Sequence, residues 1–242
     1  MTTPAAPNPR PVLMDGLRTA WPICLGYFPI GLAFGVLAQK AGLSAWEIGL
    51  MASMVFAGGS QFIAVAMLQA GAPAVPIIAT TFMVNLRHFL MSSSLSVHLR
   101  GSSGRFLALF AYGVTDESFA VNMGRFRDGG WDRWRALVVN HAANLVWIVC
   151  CVAGTWAGRF IPAGAFGIDY ALTAMFICLL VFQLRSRLFT LTAVLAGLLS
   201  TALYVTLPGT VNVVAAAIAA ATAGFWLRRR GRSGGRRPDA DS

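Results

Sequence analysis

The stretch Leu50–Leu68, which reads LMASMVFAGGSQFIAVAML, decides the class of fold to which this chain belongs. It is apolar at both ends, and Gly58-Gly59-Ser60-Gln61 interrupts it near the centre. Two consecutive glycines weaken a helix, and serine is a good N-cap for a helix that restarts. A break within a membrane is tolerated only where the freed backbone groups face protein or a water-filled cavity. We therefore expect a broken membrane helix, restarting at Ser60 or Gln61, of the kind that marks transport sites.

Composition supports a membrane protein. Of the 242 residues, 57% are hydrophobic and 12% are charged, whereas a soluble domain carries about 25% charged residues. The sequence therefore predicts an all-α polytopic integral membrane protein. The net charge of +10 does not indicate a nucleic-acid partner, because the arginines flank apolar runs and form no basic domain. The cysteines lack metal-ligand spacing, and we expect neither a metal nor a cofactor.

About eight hydrophobic segments can be read from the sequence, each comparable with the roughly 20 residues that cross a bilayer. We expect some of them to be broken or not fully spanning. Pro22 and Pro29 predict a kink or a break near the centre of the first. The eight segments are Leu17–Ala38, Trp46–Ala70, Val75–Leu99, Phe106–Met123, Ala136–Ala157, Phe166–Leu184, Leu188–Leu207 and Val211–Leu227.

Three regions follow from this reading: a disordered N-terminus (1–14), a transmembrane transport domain (15–227) and a basic tail (228–242). The six arginines of the tail predict a cytoplasmic C-terminus that lies on anionic lipid. The bias of basic residues is weak in the first half of the chain, so the side of the N-terminus stays open. Two pairs of small residues, Gly31 with Gly35 and Gly154 with Gly158, predict close helix–helix approaches.

Polar residues in the middle of the third segment are candidates for function. Asn85 and His88 share one helix face with Thr81 and Ser92. Arg87 points to another face, and a buried arginine at mid-bilayer costs at least about 2.5–3.5 kcal/mol unless it is paired or hydrated. It therefore needs an anion. Both a protein carboxylate that fixes helix packing and a substrate carboxylate satisfy that need.

Two adjacent carboxylates, Asp116 and Glu117, lie in the middle of the fourth segment. One interpretation makes one of them the proton carrier of coupled transport. The other is structural: Gly113 ends a helix, Thr115 caps the next one, and the carboxylates occupy its first turn. The two interpretations are compatible.

The break at Gly58–Gln61 supplies a complementary device. A half-helix that starts there aims free N–H groups at a cavity, which suits the carboxylate of an amino acid. The amide of Gln61 either adds a contact to the substrate or binds a neighbouring helix. Three apolar residues would hold the substrate side chain, and three polar residues near the start of the fifth segment are lesser candidates. These are Phe28, Met54 and Phe56, and Asn140, His141 and Asn144, respectively.

Four motifs in this order resemble the AzlC family, the large subunits of bacterial branched-chain amino acid exporters. The resemblance covers residues 15–227, and Gly59 departs from the alanine that family members commonly carry. The motifs are Gly26-Tyr27-Phe28-Pro29-Ile30-Gly31 with Ala33-Phe34-Gly35, Phe56-Ala57-Gly58-Gly59-Ser60-Gln61-Phe62, Asn85-Leu86-Arg87-His88 and Thr115-Asp116-Glu117-Ser118-Phe119.

The resemblance implies export of leucine, isoleucine, valine and often methionine across the bacterial inner membrane. It implies the proton motive force as the driver and a separate small AzlD-type membrane subunit as a partner. The expected site combines Gly58, Gly59, Ser60, Gln61, Asn85, Arg87 and His88 for the substrate with Asp116 and Glu117 for the proton.

Two other classes compete with a transporter, which is not an enzyme. The first is an intramembrane hydrolase with Ser60 as nucleophile and His141 as base, but the nucleophile motif Gly-x-Ser-x-Gly is absent. The second is a non-transporting structural or regulatory subunit, which would depend on a partner protein just as a transporter with a small subunit does. An ion channel would need a repeated ring of carbonyls or charges, and a single set of motifs argues against it.

Overall fold

The computed structural model describes residues 9–160, 170, 173–174, 177, 180–181, 184, 187–204, 215–216 and 218–226. The chain forms two compact units, Met1–Met175 and Phe176–Ser242. The basic tail, residues 1–8 and most of the predicted segment Phe166–Leu184 lie outside the described residues.

All secondary-structure elements in the described ranges are helical, as an all-α membrane protein requires. The first unit contains seven α-helices and one short 3₁₀ helix within its described residues, and the second contains α8 and the helical residues 218–226. The elements are α1 Pro9–Lys40, α2 Ala45–Met54, α3 Gly58–Gln69, α4 Ala74–Ser96, the 3₁₀ helix Val97–Leu99, α5 Gly104–Tyr112, α6 Asp116–Asp128, α7 Arg133–Ala157 and α8 Arg187–Tyr204.

Three of these elements are long and apolar enough to cross a membrane: α1, α4 with its 3₁₀ extension, and α7. The helices α2, α3, α5 and α6 have 10, 12, 9 and 13 residues. At 1.5 Å per residue each is about 14–20 Å long, which is less than the roughly 30 Å of a hydrocarbon core. Each of these four helices is therefore too short to cross alone, whereas the pairs α2–α3 and α5–α6 are long enough together. This confirms the prediction that some segments are broken.

The first helix differs from its prediction in two ways. It runs without interruption through Pro22 and Pro29, so the alternative of a break there is wrong. Proline is tolerated in membrane helices because neighbouring groups satisfy the freed carbonyls. The helix also begins at Pro9, so residues 9–14 are helical and the boundary at residue 15 is wrong for them. Proline suits a helix start, because its missing N–H would have no intrahelical partner there.

Helices α1 and α7 pack along each other through the small residues that the sequence singled out. A Cβ added to Gly35 would lie 2.8 Å from the Cα of Gly154, and one added to Gly154 would lie 3.0 Å from the Cα of Gly35. A Cβ on Gly31 would lie 2.8 Å from that of Cys150. The backbones therefore touch, which confirms the predicted close approach.

An aromatic cluster fills the space between α1, the α2–α3 pair and α7. The ring of Phe34 stacks on Trp147 with centroids 5.9 Å apart and meets the edge of Phe62 at 5.1 Å. A second cluster, around Leu95, Phe110 and Val114, joins the end of α4 to α5. The first cluster surrounds the α2–α3 break, and Val114 places the second at the α5–α6 break.

The second unit contains a contact between its two described helices. A Cβ added to Gly224 would lie 2.6 Å from Oγ1 of Thr192 on α8. Glycine therefore lets these two helices approach closely.

Candidate functional site

The α2–α3 break lies at Val55-Phe56-Ala57, three residues before the predicted position. Ala57 is the N-cap and α3 begins at Gly58, so the predicted start at Ser60 or Gln61 and the predicted serine cap are wrong. The hydroxyl of Ser60 instead donates to the carbonyl of Ala57 at 3.0 Å, from within the first turn. Gly58 lies under the indole of Trp147, because an added Cβ would be 3.1 Å from Cη2 of that ring. Glycine at this position therefore allows the indole to pack against the start of α3, and it does not itself interrupt the helix.

Gln61 joins the two halves of this broken helix. Its Nε2 donates to the carbonyl of Met51 at 2.9 Å and to the carbonyl of Val55. These carbonyls also accept the backbone N–H of Val55 and of Ala57, so Gln61 is a second donor to each. Its Oε1 accepts from the indole N–H of Trp147 at 3.0 Å. The side chain is fully buried. The amide is therefore bonded to protein at both its nitrogen and its oxygen.

The α5–α6 break follows the local pattern that the sequence predicts. Helix α5 ends at Tyr112 with Gly113 as its C-cap, and Thr115 caps α6 in a capping box with Ser118. Asp116 and Glu117 occupy the first turn. Carboxylates are stabilised there by the positive end of the helix dipole. The structural interpretation of this segment is confirmed, and it leaves a proton role open.

Buried amide side chains close this second break. Asn140 on α7 donates to the carbonyl of Phe110 at 3.2 Å, and it accepts from Asn122 on α6 at 2.9 Å. The indole N–H of Trp131 donates to Asn122 at 3.1 Å. Helix α7 thus supports both breaks, through Asn140 at one and Trp147 at the other.

A third polar contact ties the two breaks together. The hydroxyl of Tyr112, the last residue of α5, donates to the carbonyl of Ser53 near the end of α2. It accepts from the amide of Asn144 at 3.3 Å. His141 stacks on the Tyr112 ring with centroids 6.1 Å apart. The hydroxyl of Ser60 donates to a backbone carbonyl. These contacts therefore do not show the Ser60–His141 pair that a hydrolase would need.

Arg87 on α4 forms an ion pair with Asp116. The distance from its terminal nitrogen to Oδ2 is 2.9 Å, and the two side chains are 27% and 25% exposed. Asp116 is therefore the protein anion that Arg87 requires. About a quarter of each side chain remains exposed in the structure.

Three polar atoms of α4, at Arg87 and at residues close to it in the chain, are buried without a hydrogen-bond partner among the described residues. They are Oδ1 of Asn85, Nε of Arg87 and Nε2 of His88. A buried polar atom without a partner costs roughly 1–3 kcal/mol, so such atoms call for an explanation. One acceptor, one cationic donor and one imidazole nitrogen could all be satisfied by a polar ligand.

Tyr27 on α1 is a site residue that the sequence reasoning missed. Its hydroxyl donates to Oε2 of Glu117 at 2.7 Å and lies 2.9 Å from Oγ1 of Thr115. The residue is 7% exposed. The signal that could have found it is general: a tyrosine hydroxyl inside a membrane needs a partner.

The predicted site residues fall into two groups. Asn85, Arg87 and His88 lie on α4 with Asp116 and Glu117 facing them from α6, whereas residues 58–61 form the start of α3. Among the apolar residues predicted to hold a side chain, Phe56 is buried at the break, and Phe28 and Met54 are 57% and 73% exposed. Tyr27 lies between the groups.

The model of the AzlC protein family matches residues 22–161, which is more than half of the chain. The chain belongs to the AzlC family. The match includes both breaks and both residues of the Arg87–Asp116 pair. No solved structure matches it.

Curated relatives cover most of its length. The branched-chain amino acid transport protein AzlC of Bacillus subtilis (strain 168) is 29% identical over 184 residues, 73% of this chain and 71% of that protein. The inner membrane protein YgaZ of Escherichia coli (strain K12) is 28% identical over 237 residues, 91% of this chain and 96% of that protein. An uncharacterized membrane protein of Archaeoglobus fulgidus is 28% identical over 214 residues, 87% and 93% of the two chains.

Proposed function

We propose that this AzlC protein is a secondary transporter that exports leucine, isoleucine, valine and methionine across the bacterial inner membrane. Export is coupled to protons, and a small AzlD-type subunit takes part. The printed name of the Bacillus relative, a branched-chain amino acid transport protein, supports the substrate class. The arginine tail supports a cytoplasmic C-terminus.

The observation that carries the proposal is the partly exposed Arg87–Asp116 pair together with the three unpartnered atoms of α4. An amino acid zwitterion matches this arrangement, because Arg87 takes its carboxylate and Asp116 takes its ammonium. Asn85 and His88 add the remaining hydrogen bonds. The substrate replaces one ion pair with two, which offsets the desolvation of all four charges.

The start of α3 contributes through its backbone. The first N–H groups of a helix have no intrahelical acceptor, and the dipole favours negative charge there. Gly58 and Gly59 present these groups without a side chain. Ser60 and Gln61 hold the turn in place through their bonds to the carbonyls of α2 and of the break.

Asp116 and Glu117 have different roles in this proposal. Asp116 is compensated by Arg87. Glu117 takes its hydrogen bond from the neutral hydroxyl of Tyr27. Glu117 has no ion-pair partner among the described residues, so a proton can bind it without separating a salt bridge. We therefore assign the proton to Glu117 and place Asp116 in the substrate site.

Reconstitution tests the proposal. The chain is placed in liposomes alone and with its small subunit, and efflux of labelled leucine is followed under an imposed pH gradient. We expect flux that isoleucine and valine compete for and lysine does not. The matched variants are Arg87→Met and Arg105→Met, the second at an exposed arginine of α5. Flux no greater than in empty liposomes, even with the small subunit present, would indicate a structural subunit instead.

A further inference from the structure

Tyr27 is in contact with both breaks at once. Its hydroxyl bonds Glu117 in the first turn of α6 and lies near the cap Thr115. Its ring meets the edge of Phe56, inside the α2–α3 break, with centroids 6.2 Å apart and planes at 82°. It also meets Trp147 at 5.4 Å and 70°. One side chain thus has a polar contact with one break and apolar contacts with the other.

Trp147 extends this connection to the start of α3. Its indole covers Gly58, and its N–H donates to Gln61. Gln61 in turn bonds the carbonyls that end α2. A continuous chain of contacts therefore runs from the Glu117 carboxylate through Tyr27 and Trp147 to the backbone of the α2–α3 break.

We propose that Tyr27 is the positioning residue that couples protonation of Glu117 to the geometry of the α2–α3 break. This inference rests on the proposed role of Glu117 as proton carrier. When Glu117 is ionised, it takes a charge-assisted hydrogen bond that holds the Tyr27 hydroxyl. When a proton binds, the acceptor weakens, and the ring shifts against Phe56 and Trp147. Packed elements respond to such a change by moving between discrete arrangements.

Several charged and titratable groups lie near Glu117 and contribute to the electrostatic environment of its carboxylate. His88 faces it from α4 and Tyr27 from α1, and its neighbour Asp116 on α6 is paired with Arg87. The Arg87–Asp116 pair is nearly neutral as a unit. The hydroxyl of Tyr27 is therefore the contact whose removal changes Glu117 while leaving the other charges in place.

The test is Tyr27→Phe, which keeps the ring against Phe56 and Trp147 and removes the hydroxyl. The matched control is Tyr204→Phe, at an exposed tyrosine of α8. Proteoliposomes with an internal pH dye and labelled leucine give the number of protons moved per leucine. We expect that ratio to fall in Tyr27→Phe, because protonation of Glu117 no longer reaches the α2–α3 break through this hydrogen bond. Leucine counterflow, measured in parallel, should fall less, and the control should match the unmodified protein.

The pH profile gives a second readout that a purely structural role would not move. Tyr27→Phe removes the hydrogen bond that Glu117 accepts. The midpoint of pH-dependent transport should therefore move to higher pH in this variant. An unchanged proton ratio together with an unchanged midpoint would overturn the inference. The proposed function would fail separately, if Glu117→Gln still moved protons with leucine.

A second variant covers the case in which Tyr27→Phe does not accumulate. Glu117→Asp keeps a carboxylate at this position and withdraws it by one methylene from the hydroxyl. The proton ratio should fall in the same direction as for Tyr27→Phe. A ratio equal to that of the unmodified protein would contradict the coupling role.

Discussion

Gln61 is the side chain on which the α2–α3 break most directly depends. A broken helix leaves backbone carbonyls without partners at its end, and inside a membrane no bulk water replaces them. At the end of α2 the carbonyls of Met51 and Val55 each accept one backbone N–H, and Gln61 adds a second bond to both. Its oxygen holds Trp147. The break is thus stabilised by one amide that reaches back from the following half-helix.

Replacing Gln61 with leucine should destabilise the fold. The substitution removes three hydrogen bonds, at a combined cost of about 3 kcal/mol. The Tm in detergent should fall by roughly 6–12 °C. Gln69→Leu, at an exposed position near the end of the same helix, is the control and should change little. Equal Tm values for the two variants would mean that the amide does not support the break.

The Arg87–Asp116 pair is tested by its double variant. Arg87→Met leaves Asp116 without its cation, so less folded protein should accumulate. Adding Asp116→Asn removes the unpaired charge and should restore folding, measured as the monodisperse yield in detergent. Leucine transport should stay lost in the restored protein, because the substrate charges have no partners. Recovery of transport would show that the pair is only structural.

Local sequence patterns predicted the residues of the α5–α6 break but not those of the α2–α3 break. Gly113, Thr115 and Asp116 form a helix stop and restart within a few residues, which can be recognised in sequence. Gly58 is glycine because of Trp147, which is far away in the chain. No local pattern reports such a contact. The partner of Tyr27 was missed for the same reason.

At the scale of elements, the first unit repeats one arrangement. A long helix is followed by two half-helices, first as α1 with α2–α3 and then as α4 with α5–α6. In each second half-helix the third residue is a serine whose hydroxyl contacts the carbonyl of the N-cap: Ser60 at 3.0 Å and Ser118 at 3.5 Å. The sequence showed the two breaks but not their equivalence, because the residues around them differ.

The crossing of α1 and α7 fixes the spacing of everything packed on it. Gly35→Ala should push these helices apart, at a cost of about 1–3 kcal/mol or more. Gly26→Ala lies on the same helix with open space around its added methyl, and it should be neutral or stabilise by roughly 0.5–1 kcal/mol. The Tm values of the two purified variants measure the difference. Similar values for both would argue against a backbone contact at Gly35.

The apolar segments of the sequence form helices wherever the structure describes them, so the sequence predicted these helices well. It failed at Pro22 and Pro29, because membrane surroundings satisfy carbonyls that a proline frees and α1 continues through both. The small pairs Gly31 with Gly35 and Gly154 with Gly158 were readable, since close approach needs small residues. That the two pairs meet each other required the fold.

Across the whole first unit, neighbouring carboxylates on one half-helix contact different helices. Asp116 pairs with Arg87 of α4, and Glu117 bonds Tyr27 of α1, which also contacts the other break. In the proposed function these two carboxylates serve the substrate and the proton. Binding and protonation are then close enough to influence each other. Coupling of this kind is reciprocal, so leucine should also change the affinity of the protein for protons.

The most direct measurement of this claim is leucine-driven proton movement in proteoliposomes carrying Glu117→Gln or Asp116→Asn, across a range of pH. The account predicts that Glu117→Gln exchanges leucine without moving protons and without pH dependence, whereas Asp116→Asn fails to bind leucine. Proton-coupled, pH-dependent leucine transport at the level of the unmodified protein in both variants would contradict it.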